Sequence, residues 1–133
     1  MGGVIGPKVP KQTPADMADA YEHSTLRDNY TCQMCKQPGD VQRDHRQNRQ
    51  QGNTILSNLL CLCLGCHKRK TENPAWAYQY GWGVPRWAVP ADWPVPRMIG
   101  GEWVEVLLDD VGGWEVITEA QARAARSGDG VVF

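Results

Sequence analysis

The pattern of apolar and polar positions divides the chain into short elements with little long-range periodicity. Residues 1–14 alternate proline and glycine (Gly2, Gly3, Gly6, Pro7, Pro10, Pro14), which prevents regular structure and predicts a flexible arm. Thr13-Pro14 then opens a helix. Thr13 suits the N-cap, Pro14 the first helical position and Asp16 the first turn, while Met17, Ala20 and Tyr21 recur at helical spacing to about Arg27 or Asp28. Tyr30-Thr31-Cys32 predicts a short strand, with Lys36-Gln37-Pro38-Gly39 as the turn behind it, and Val41 to His45 predicts another strand. Residues 46–54 are polar and form a loop. Leu59, Leu60, Leu62 and Leu64 supply local core, and a helix starts near Cys66.

The second half reads differently. Ala75 to Tyr80 can resume a helix. After Gly81 the chain carries Trp82, Trp87 and Trp93 among Pro85, Pro90, Pro94 and Pro96, which predicts an extended strap laying aromatic rings on a small core. A stacking platform for bases is the other use of such rings, disfavoured by the four prolines and few basic residues. Residues 103–108 and 114–117 flank Asp109-Asp110-Val111-Gly112-Gly113 as a β-hairpin, and Thr118 caps a short helix over Glu119 to Arg126. The predicted organisation is an arm over 1–14, a core over 15–73, and a strap, hairpin and terminal helix over 74–133.

At 133 residues this is at most one modest domain. The first residues hold no signal-peptide apolar run and no membrane-length stretch, so a cytoplasmic protein with no membrane partner is expected. The net charge of −1 hides an asymmetry. Residues 36–70 carry seven Lys/Arg against two Asp, whereas residues 71–133 carry four basic against nine acidic residues. The basic stretch is where a polyanion would dock, although a merely solvated basic face has the same composition. His23 falls within the first helix and reads as a surface histidine.

That basic stretch also holds the chemistry. Cys32/Cys35 and Cys63/Cys66 form two CxxC pairs separated by 27 residues. Each tight turn can present two thiolates, and together they complete a four-cysteine set for structural Zn2+, the pattern expected of a metal site in a chain without secretory features. Cys61 would share a strand face with Cys63; it is either a competing ligand or, the preferred reading, a small core residue. Asp44-His45 lies between the pairs, Asn58 precedes the second pair, and His67 follows Cys66 directly.

Asp44-His45, Asn58-Leu59 and Cys63-x-x-Cys66-His67-x-x-Lys70-Thr71 together resemble the HNH endonuclease family, over roughly residues 30–71. The later Trp/Pro-rich segment and acidic hairpin resemble, more loosely, small HNH proteins of actinobacterial phages. The resemblance implies an α+β fold with a zinc-stapled ββα-metal core and an activity of metal-dependent DNA endonuclease. It implies His45 as the general base, Asp44 and His67 as ligands of a catalytic Mg2+ or Mn2+ (Ni2+ or Zn2+ being compatible with imidazole), and Asn58 as the third catalytic-motif residue, acting on the loop or on the metal. Lys68, Arg69 and Lys70 would hold phosphates, with Arg43, Arg46 and Arg49 lining the groove, unless Arg43 is only an ion-pair partner of Asp44. Side chains alternate along a strand, so placing Asp44 and His45 at one cation calls for a bend or bulge. Two departures from the family are Gln50-Gln51-Gly52-Asn53 where many members have Gly-Gly, and Thr71 four residues after His67. The partners implied are DNA and, if the phage likeness holds, terminase subunits in the host cytoplasm. The alternative function is a non-catalytic zinc module binding DNA or protein in a packaging complex.

Overall fold

The computed structural model describes residues 11–127. Residues 1–10 of the expected arm and the chain after Ser127 lie outside them. Among the described residues the protein is α+β, with four α-helices and two small antiparallel sheets.

Helix α1 (Pro14–Arg27) starts as its sequence dictates. Thr13 Oγ1 accepts from Asp16 N and Asp16 Oδ2 accepts from Thr13 N, each at 3.1 Å, so two otherwise unpaired amides are satisfied reciprocally. The chain then turns through the first cysteine pair. The predicted strand at Tyr30–Cys32 reduces to a single bridge between Thr31 and Pro38. Strand β1 (Gln42–His45) pairs antiparallel with β2 (Leu59–Leu62), from Gln42 opposite Leu62 to His45 opposite Leu59. All four residues of β2 are buried. Helix α2 (Leu64–Glu72) follows at once. Leu64, expected in the core, is exposed because it opens the helix on its outer face.

Helix α3 (Pro74–Tyr80) ends at Gly81, whose φ of +88° reverses the chain; a Cβ there would lie 1.9 Å from Pro94 O, so only glycine fits. The expected strap is part strand. Val95–Ile99 forms β3, the edge of a three-stranded sheet with β4 (Glu102–Leu108) and β5 (Trp114–Ile117). Pro96 is tolerated because an edge strand needs no second row of amide donors. Helix α4 (Glu119–Ser127) closes the described chain.

One core joins the two sheets: Cys32, Leu60 and Leu62 meet Ala77 and Trp82 and then Val95, Val106 and Leu108. A buried charge cluster ties the same parts together. Asp28 receives Arg27 Nε and Arg97 Nη1, each at 2.9 Å, and Cys61 N at 3.0 Å. The Asp28 carboxyl stays below the usual range: burial opposes ionisation, but the Arg27 contact and the other donors outweigh it. Residues 74–127 therefore belong to the packing of the cysteine-bearing half rather than forming an appendage.

Candidate metal centre and adjoining cavity

The first CxxC sits on a tight turn in which Lys36 takes a φ of +64°. Cys35 N donates to Cys32 Sγ at 3.4 Å. The second CxxC straddles the start of α2, where Cys63 is the N-cap and its Sγ accepts from Cys66 N, also at 3.4 Å. Both sulfurs are thus in position to carry negative charge, one of them at a helix N-terminus. The four Sγ atoms of Cys32, Cys35, Cys63 and Cys66 lie within 4.8 Å of one another. Cys35 and Cys63 are 3.8 Å apart, the edge of a tetrahedron with Zn–S bonds of about 2.3 Å. The donor set fits a soft or borderline cation such as Zn2+.

The thiol acidities describe a cluster waiting for positive charge. Burial disfavours the Cys32 thiolate, but amides of Cys35, Cys63 and Met34 prevail and lower its pKa to about 7. For Cys66, burial and the neighbouring sulfurs push the pKa up. The Cys32 thiolate forms readily while those of Cys35 and Cys66 resist, until a cation compensates them. Cys61 stands apart: it is fully buried, its Sγ reaches Ser24 O at 3.8 Å, and burial with the Asp28 charge pushes its thiol up to about 12. It is a core residue and not a fifth ligand.

Helix α2 carries the second feature. One turn on from Cys63 it presents His67 and Lys70 to β1. Asp44, buried, directs Oδ1 to within 2.9 Å of His67 Nδ1 and Oδ2 to Lys70 Nζ. The His67 contact is close but poorly aligned, and Nδ1 is buried without a hydrogen-bond partner. Lys70 Nζ also donates to His45 O at 2.7 Å. Burial lowers the Lys70 pKa, and Asp44 opposes that shift. These residues line a cavity of about 420 Å3 together with His45, Arg43 and Arg49. The β1–β2 ladder is regular through His45, its last paired residue, and His45 and Asp44 both line the cavity at the strand end.

His45 Nε2 lies 3.0 Å from Thr54 Oγ1, and the ring meets Tyr21 edge-on with centroids 6.1 Å apart. Gln12 clamps Thr54 in turn, donating to its carbonyl at 2.8 Å and accepting from its amide at 3.0 Å. Burial lowers the His45 pKa, Arg49 and Lys70 lower it further, and Asp44 opposes them. Thr54 and Gln12 carry no motif, and nothing in a polar loop or a proline-rich arm marks them as partners of a histidine.

Several expected roles change. Arg46, expected to line a DNA groove, is 1% exposed. It makes five hydrogen bonds, all to carbonyls: Gly81 twice, and Ser57, Pro90 and Trp93 once each. Burial, with the charges of Arg27 and Arg126, pushes its pKa down to about 9. It braces the strap and cannot meet phosphate. Asn58, expected in the catalytic motif, is fully buried and holds the loop: its Oδ1 accepts from Gln47 N at 2.7 Å and its Nδ2 donates to Gln47 O and Asn53 O. It positions the chain after His45 and does not line the cavity. Lys70 is engaged by Asp44, and Arg69 stacks over Trp76 at 4.3 Å. Arg43 lies over Tyr21 at 5.8 Å rather than pairing with Asp44. Lys68 is exposed with a long 3.8 Å contact to Glu72, and His23 is exposed, as expected.

No family model matches the chain, and no curated protein or solved structure matches it significantly. No helix among the described residues is long and apolar enough to cross a membrane. The site must be read from its own geometry.

Proposed function

We propose that the protein is a metal-dependent DNA endonuclease of the HNH type, with β1, β2 and α2 as a ββα-metal core stapled by zinc on the four cysteines. The observation that carries this reading is the convergence of Asp44 Oδ1 and His67 Nδ1 at 2.9 Å, with Nδ1 buried and lacking an aligned partner, in a cavity that His45, Arg43, Arg49 and Lys70 also line. A carboxylate oxygen and an imidazole nitrogen turned toward each other are a donor pair for a divalent cation such as Mg2+ or Mn2+. Bound there, the cation would supply Lewis-acid stabilisation of the phosphate and the departing oxygen.

The chain's own residues account for the rest. His45 keeps its proton off at neutral pH because its pKa is lowered. In the tautomer that donates Nε2–H to Thr54 Oγ1, Nδ1 holds the lone pair and can take a proton from water. Arg43 and Arg49 attract the phosphate backbone without reading sequence, which fits cleavage of low sequence specificity.

A second reading rests on Lys70. Its ammonium already neutralises Asp44, as it would in a non-catalytic zinc module that binds DNA or a protein in a packaging complex. Plasmid cleavage by the zinc-loaded protein with Mg2+, with Mn2+ or with no added divalent cation separates the two. The endonuclease reading expects cation-dependent nicking that is lost in His45→Ala and Asp44→Asn while both variants keep their zinc. Zinc-loaded, folded protein that retains DNA on a gel yet cuts under no cation would replace it with the binding module.

A further inference from the structure

We propose that a second cavity, on the acidic half of the protein, binds an arginine side chain of a protein partner. Trp76 and Tyr80 of α3, Trp82 beyond it, and Trp103 of β4 wall a cavity of about 350 Å3, with Glu105 and Glu119 also on its lining. Trp82 and Trp103 meet at 89° with centroids 6.3 Å apart, so the two rings make a corner; Trp76 and Tyr80 are tilted at 6.1 Å. Trp103 and Tyr80 remain 47% and 45% exposed, an unusual outlay of aromatic surface in a chain this short.

The chemistry of the lining selects the occupant. Aromatic faces attract cations, and a concave set of them with a nearby carboxylate is the arrangement that receives a cationic group. Glu105 is already matched by Arg126 at 2.8 and 3.1 Å, but Glu119 is exposed and, among the described residues, has no ion-pair partner. Among the described residues no basic side chain lines the cavity, so nothing there would hold the phosphates of a nucleic acid whose bases stacked on the rings. Among cationic side chains, the planar guanidinium suits stacked walls best. The protein uses that pairing internally at Arg43 over Tyr21, Arg69 over Trp76 and Arg97 over Trp114, at 5.8, 4.3 and 4.0 Å. Arg69 does not itself line the cavity. The site is independent of the Asp44–His67 pair and stands whether or not the protein cleaves DNA.

The test titrates the zinc-loaded full chain with a capped pentapeptide carrying one arginine, and with the same peptide carrying lysine or citrulline, following the tryptophan indole N–H signals by NMR. The arginine peptide is expected to shift the Trp82 and Trp103 signals saturably, and the citrulline peptide, which keeps shape and loses charge, to bind about tenfold more weakly. Glu119→Gln, at an exposed helix position, should weaken the arginine peptide without altering the fold by circular dichroism; Trp103→Ala should abolish its effect on Trp82. Equal affinity for arginine and citrulline peptides, no saturable shift with arginine, or a single-stranded oligonucleotide moving these indoles while the arginine peptide does not, would each overturn the proposal.

Discussion

Thr54 Oγ1 and His45 Nε2 lie 3.0 Å apart across nine residues of sequence, and Gln12 holds Thr54 from both its amide and its carbonyl. The histidine is therefore oriented by a partner that is itself fixed. Its pKa is lowered by burial and by Arg49, so it should titrate by NMR below the ordinary value of 6.5. Because the unfolded chain takes up the proton first, the native state loses stability as pH falls below about 6.5, until the folded pKa is passed. Cleavage should likewise fall on that acid limb. Thr54→Val is expected to slow cleavage by on the order of tenfold to a hundredfold while zinc content stays unchanged.

Chelation of the cysteine metal should unfold the protein. A structural Zn2+ contributes an apparent stabilisation on the order of 10–16 kcal/mol, more than a domain of this size can lose. The expected outcome is one zinc per chain by elemental analysis and collapse of the circular dichroism signal in a strong chelator. Cys63→Ala should be worse tolerated than Cys35→Ala, because Cys63 also caps α2 and alanine cannot. A chain that keeps its thermal transition with all zinc removed would contradict this.

Arg46→Met should destabilise by about 3 kcal/mol or more, since it takes the guanidinium donors from the buried carbonyls of Ser57, Gly81 and Trp93. Arg46→Lys should also be costly, because an ammonium cannot span the same fork. Urea denaturation reads both. The salt dependence of DNA binding should be unaffected by Arg46→Met, and each of the exposed-side substitutions Arg43→Ala and Arg49→Ala should reduce its slope by about one.

Asn58→Asp tests the loop staple with almost no change in shape. The Gln47 amide keeps its acceptor, but two carbonyls, Gln47 O and Asn53 O, then face a carboxylate. The substitution is expected to cost about 2–3 kcal/mol and to speed hydrogen exchange at the amides of residues 46–54. Exchange unchanged in that loop would remove Asn58 from its positioning role.

Local signals in the sequence carried the local structure. Thr13, Pro14 and Asp16 announced α1, and the capping box bears this out. The CxxC spacing announced the four-sulfur cluster, and the turn at residues 109–113 announced the hairpin β4–β5. Strand β3 was hidden because Pro94 and Pro96 look like strand breakers, and only the strand order shows that this segment is an edge. Arg46 was read as a groove residue because it follows Asp44-His45, and Asn58 as a motif residue acting on the loop or on the metal, of which the loop contacts are what the structure shows. Their true partners are carbonyls and amides 5 to 47 residues away, and such groups belong to every residue and leave no trace in the amino-acid pattern. Whether a charge near a motif faces substrate or braces the chain is decided by burial, which sequence spacing does not encode.

The Arg46 brace sets an order of events for a growing chain. Strand β1 is made early, yet four of the five hydrogen bonds of the guanidinium that follows it wait until Gly81, Pro90 and Trp93 have been synthesised. A nascent chain ending near Glu72 can gather its four cysteines around a metal while the Arg46 guanidinium has met Ser57 O and still lacks its acceptors on Gly81, Pro90 and Trp93. The metal cluster can thus mature before the histidine-bearing cavity does, and the brace behind that cavity is completed only once residues 81–93 have arrived.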